Sequence, residues 1–132
     1  MTHLFPIPSL QNLLRFDALS CALMGVGLIA ARVPLEIWTG LPASILLWAG
    51  ILLLPIAAFM AFAGSKSFVP PWATTVIILG NIGWVIASLL LPIVAALSLT
   101  PLGWMLLLGQ AGFVTVMAAL EYKAARRPLV LA

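Results

Sequence analysis

No charged residue interrupts the stretch from Trp72 to Leu97, WATTVIILGNIGWVIASLLLPIVAAL, and this constrains the fold more than any other feature of the chain. About 25 residues at 1.5 Å each exceed a hydrocarbon core of roughly 30 Å, so the run reads as a membrane-crossing helix. With it at 73–97, three similar runs lie near 16–31, 43–63 and 102–122. A soluble domain carries about a quarter charged residues. Here 7% are charged and 64% hydrophobic, more apolar surface than a soluble chain of 132 residues could hide. The expected fold is all-α: a polytopic membrane protein of four transmembrane helices in an up-down bundle, with residues 1–132 forming a single transmembrane domain.

The boundaries are marked by capping and breaking residues. Ser9 follows Pro6 and Pro8 and is a candidate N-cap, so residues 1–15 form an interfacial lead-in to the first span. Residues 32–42, RVPLEIWTGLP, contain Pro34, Gly40 and Pro42 and read as a connection. Pro55 falls within the second span, where it removes a backbone hydrogen bond and should bend the helix. GSKSFVPP, residues 64–71, is a polar turn whose prolines start the third helix, and Thr100-Pro101 supplies an N-cap and first-turn proline for the fourth. Pro42 and Gly50 recur as Pro101 and Gly109 at a spacing of 59 residues, a weak parallel internal repeat of two helical hairpins.

Four spans place both termini and the 64–71 turn on one face. That face collects Arg15, Lys66, Lys123, Arg126 and Arg127, against Arg32 alone opposite, which predicts cytoplasmic N- and C-termini. Trp72 and Tyr122 at one boundary and Trp38 and Trp104 at the other suit the same arrangement, since amphipathic rings favour the headgroup layer.

Reactive groups are scarce. His3 is the only histidine and lies outside the spans; Cys21 is the only cysteine; no cluster offers metal geometry. Ser20, Ser44 and Ser88 have no intramembrane His or Lys to activate them. No catalytic, cofactor or metal site is therefore expected, and a pI near 9.8 is explained by topology rather than by nucleic acid.

The polar residues inside the spans are the candidate sites. Asn81, Trp84 and Ser88 share a face of the third span at i, i+3 and i+7, and Gln110, Met117 and Glu121 share one on the fourth. If these stripes meet they make a helix-packing seam or a polar pocket, with the Trp84 indole bonded to Asn81 or Gln110. Asp17 and Glu121 near the inner boundary form either an ion-pair layer with Arg15 and Lys123, shallow enough to reach water, or a protonatable coupling site.

LLRFDALSCALMGVG, LPASILLWAGILLLP, NIGWVIASLLL and TPLGWMLLLGQAG together resemble an uncharacterised family of small four-helix bacterial inner-membrane proteins. That resemblance implies a multi-pass protein of the bacterial plasma membrane and carries over no activity, cofactor or site. The small multidrug-resistance transporters share the size and the four spans. They place an essential glutamate deep in their first helix, where this chain has only Asp17.

These observations predict a non-enzymatic accessory, structural or assembly subunit of a larger membrane complex. Its partners would be membrane lipids and other transmembrane helices, in a complex or a homo-oligomer. Two other readings use the polar residues: a small dimeric proton-coupled transporter or channel, and a lipid- or quinone-binding protein with Lys123, Arg126 and Arg127 at headgroups.

Overall fold

The computed structural model describes residues 8–126, which form five helices: α1 (Leu10–Ala30), α2 (Arg32–Thr39), α3 (Ala43–Gly64), α4 (Pro71–Val94) and α5 (Pro101–Ala125). Four of them, of 21 to 25 residues, are long and apolar enough to cross a membrane. The chain is an all-α, multi-pass bundle.

The caps explain where the helices begin. Ser9 Oγ accepts from Asn12 N at 3.2 Å and starts α1 at Leu10, so the lead-in and the first span are one helix rather than two segments. Thr100 Oγ1 accepts from Gly103 N at 3.1 Å ahead of Pro101. α3 runs unbroken through Pro55.

Two boundaries depart from expectation. The 32–42 connection contains a helix, because Pro34 falls in its first turn, where a missing N–H costs nothing, and only Gly40, at φ 80°, ends it. α4 stops at Val94 rather than Leu97. Ala96 takes a left-handed conformation, φ 50°, while Leu97 N donates to Pro92 O and Ala96 N to Ile93 O, closing the last turn.

The helices pair as two hairpins. α1 lies along α3, and α4 along α5, while α3 and α4 barely approach one another. The ends of the hairpins are tied together. Beside the 64–71 turn, Gln11 Nε2 donates to Ser67 O at 2.8 Å and Arg15 Nε to Gly64 O at 3.0 Å. At the opposite end, Thr100 N donates to Thr39 O at 3.0 Å and Thr100 Oγ1 to Trp38 O at 2.6 Å. One apolar cluster, including Leu14, Met60 and Ile77, fills the end near the 64–71 turn. A second, around Leu28, Leu46 and Leu53, fills the other.

The two halves share a plan but not their packing. In a bilayer no hydrophobic force draws helices together, so close backbone approach through small residues carries association. A Cβ on Gly50 would lie 2.6 Å from Gly25 O and 2.7 Å from Ile29 Cγ1. Around Gly80, Gly83, Gly109 and Gly112 nothing comes within 4 Å of such an atom. Gly50→Val should therefore lower stability by about 1–3 kcal/mol through overpacking. Gly109→Ala, its counterpart in the spacing of 59, should instead raise the thermal midpoint in detergent slightly, through about 0.5–1 kcal/mol of helix propensity, because nothing obstructs the new methyl.

Candidate functional site

Asn81 lies on α4 ten residues from its start, about 15 Å along the axis, where backbone carbonyls are already committed to the helix. Its side chain must find partners on other helices, and it finds two acids. Asn81 Nδ2 donates to Asp17 Oδ2 of α1 at 3.2 Å and to Glu121 Oε1 of α5 at 2.9 Å. A single amide thus joins three helices. Cys21 Sγ adds a weak contact to Asp17 Oδ1 at 3.8 Å.

All three bridge residues are sealed from water: Asp17 is 1% exposed, Glu121 0% and Asn81 7%. Of the two readings that the sequence allows for these acids, the shallow ion-pair layer with Arg15 and Lys123 is not what the structure has. The cause of the difference is helix length. α1 begins at Leu10, so Asp17 is two turns inside it, and α5 continues to Ala125, one turn beyond Glu121. The bases turn elsewhere. Arg15 Nη1 donates to Asn12 Oδ1 at 3.3 Å and Nε to Gly64 O, and Lys123 is exposed. Lys66 sits over the Phe62 ring at 4.3 Å and Arg126 over Tyr122 at 5.3 Å, cation–π pairs at the ends of α3 and α5. His3 and Arg127 lie outside the described residues.

The second polar pair is one turn further along α4. Trp84 Nε1 donates to Gln110 Oε1 at 2.8 Å, and Gln110 Nε2 donates to Leu107 O at 2.9 Å, which fixes the orientation of the amide. The polar stripes of α4 and α5 therefore meet. Ser88 does not join them: its hydroxyl donates to Trp84 O of its own helix at 2.7 Å. Met117 is buried and brings no polar group.

Along the splayed side of the bundle lies a hollow of about 680 Å³, bounded by α1, α3, α4 and α5. The polar stripes by themselves predict a pocket between α4 and α5 alone. The hollow instead faces α3, because α3 and α4 diverge. Its mouth toward the bilayer is edged by exposed Leu52, Pro55, Val76 and Gly80, and Asp17, Asn81, Trp84 and Gln110 line its inner wall. Phe59 and Trp72, with ring centroids 6.1 Å apart, bring α3 and α4 together near the 64–71 turn. Phe16 and Phe113, at 6.0 Å, bridge α1 and α5. The wall is almost wholly apolar, since the polar groups on it point at one another. Nothing in the sequence signals this space, which comes from the divergence of two helices rather than from a residue pattern.

Comparison with protein families, with curated proteins and with solved structures finds no match to this chain. The geometry therefore carries the functional argument alone. Among the described residues no group of His, Cys, Asp and Glu is placed to hold a metal ion.

Removing the bridging amide should cost more than removing the indole hydrogen bond. Asn81→Leu leaves two buried carboxyl groups without their donor and should destabilise by about 1–3 kcal/mol or more. Trp84→Phe keeps the ring and loses one interhelical bond, about 0.6 kcal/mol in a membrane. Thermal midpoints of the purified variants, compared at equal detergent concentration, test that ranking.

Proposed function

We propose that this is a non-enzymatic, multi-pass membrane protein that holds a lipid-soluble molecule in the hollow between α3 and α4. The observation that carries this reading is the size and lining of that space. About 680 Å³ lies within the range of roughly 300–1,000 Å³ for small-molecule sites. An α-helix about 10 Å across has a cross-section of roughly 80 Å², so the same volume would take under about 9 Å of its length, less than a third of a bilayer core. A hydrocarbon chain, such as an acyl or isoprenoid tail, fits better than a partner helix. Such a chain can enter sideways from the bilayer through the mouth edged by Leu52 and Gly80.

An accessory role in a larger complex agrees with this reading and leaves the hollow to a lipid. It would use the exposed apolar outer faces, such as Leu19, Leu23 and Val26 of α1, for partner helices. Co-elution with a larger complex in mild detergent supports that role; a lone bundle under every condition opposes it.

The end carrying Arg15, Lys66, Lys123 and Arg126 is the cytoplasmic one in this proposal, in the plasma membrane of a bacterium. In a Cys21→Ser background, Ser98→Cys should react with an impermeant maleimide in intact cells, and Ser67→Cys only after permeabilisation. The reverse pattern would invert the topology.

Occupancy of the hollow is tested by native mass spectrometry of gently extracted protein, with lipids carrying brominated chains added back. Bound lipid should be retained, and the bromines should quench Trp84 in a variant whose other tryptophans are replaced by Phe. Gly80→Phe, which adds bulk at the mouth of the hollow without adding an indole, should abolish both signals. Quenching that persists unchanged in Gly80→Phe would show that the chain is not held there.

A further inference from the structure

The hydrogen-bond inventory of the Asp17–Asn81–Glu121 bridge is short by one donor. Two carboxyl groups offer four oxygens, and the amide that joins them has two hydrogens, one spent on Asp17 Oδ2 and one on Glu121 Oε1. Cys21 offers a weak S–H to Asp17 Oδ1. Glu121 Oε2 is left with no partner, on a side chain that is 0% exposed. Among the described residues it is the one buried side-chain oxygen or nitrogen left unpaired. Such an atom calls for an explanation, because an orphaned acceptor in a water-free interior is costly.

Among the described residues no cation supplies the missing partner: Lys66 lies over the Phe62 ring and Arg126 over Tyr122. α1 contributes Asp17 and Cys21 to the layer, and its Arg15 is turned to Gly64 O and Asn12. α4 contributes Asn81, and α5 contributes Glu121, with Lys123 exposed beyond it. α3 has no titratable residue anywhere along its length. The charged residues of α2, Arg32 and Glu36, stand at the opposite end of the bundle. One reagent needs no room and no entry path for a large group: a proton.

We infer that the bridge is a proton-binding site, holding one exchangeable proton between the carboxyl groups of Asp17 and Glu121 with the Asn81 amide as the fixed donor between them. Binding is a single step, in which a carboxylate oxygen takes H⁺ from hydronium, one O–H bond forms as one in the hydronium breaks to leave water, and the negative charge of the pair falls by one. The new O–H supplies the absent donor. The two acids then differ in role. Glu121, one turn from the end of α5, lies toward the basic end of the bundle, while Asp17 lines the hollow. The site thus holds one acid toward the basic end, itself buried, and one on the wall of the hollow. This inference goes beyond the lipid-holding role and does not depend on it.

Infrared spectroscopy of the full chain in vesicles reads the proton directly. The chain has only three acidic side chains, so subtracting the spectrum of an Asp17→Asn, Glu121→Gln double variant isolates the pair. The amides in that variant bring their own donors, so it should fold as the native chain does, which a retained thermal midpoint checks. At pH 7 the difference spectrum should contain the C=O stretch of one protonated carboxyl group, shifted down in D₂O, and acidification should double it. No protonated carboxyl at pH 7, or two, overturns the inference. So does a band that survives in the double variant. None of these outcomes bears on whether lipid occupies the hollow, so the two proposals fail separately.

Discussion

A carboxamide in a bilayer has no water to turn to, and the packing of this protein follows from where the amide of Asn81 finds its partners. Its two hydrogens go to acids on two other helices, α1 and α5, so three of the four long helices are fixed relative to one another by one side chain. The alternative for each group is hydrocarbon, where an unsatisfied polar atom costs several kcal/mol. Leucine-rich faces alone would not choose a register, because lipid tails are as apolar as leucine. The bridge selects one.

The remaining helix is held differently, and this produces the hollow. α3 approaches α1 through Gly25 and Gly50, where backbone oxygens occupy the space of absent side chains. It has no polar tie to α4, and along α4 and α5 Gly80, Gly83, Gly109 and Gly112 stand open rather than in a seam, Gly103 alone being packed, against the Thr39 backbone. One hairpin is thus zipped by close approach and the other by hydrogen bonds, Trp84 to Gln110 and Asn81 to Glu121. Two different fastenings leave α3 and α4 apart. The space between them is bounded by side chains that have already satisfied one another, which is why an apolar chain suits it better than a polar substrate.

Much of the fold is legible in the sequence, because run length and caps are local. Ser9, Thr100 and Pro101 mark helix starts where the structure has them. The short helix α2 is not legible, since Pro34 reads as a breaker until its place in a first turn is known. The end of α4 depends on the left-handed turn at Ala96, a residue that gives no hint of it. The polar stripes on α4 and α5 are visible from spacing, and so is a partner for Trp84. What spacing cannot supply is the depth of Asp17 and Glu121, which hangs on helix ends several residues away, or the divergence of α3 and α4, which belongs to no single segment.

The Asn81 amide joins both acids inside the bundle, and neither acid pairs with Arg15 or Lys123 at its edge. Solid-state NMR of the protein in lipid bilayers, with ¹⁵N in the Asn side chain and ¹³C in the Asp and Glu carboxyl groups, addresses that arrangement directly. Dipolar transfer from the Asn81 amide nitrogen should reach the carboxyl carbons of both Asp17 and Glu121. Transfer to neither, with those carbons coupled instead to the Lys123 ammonium or the Arg15 guanidinium, would contradict it.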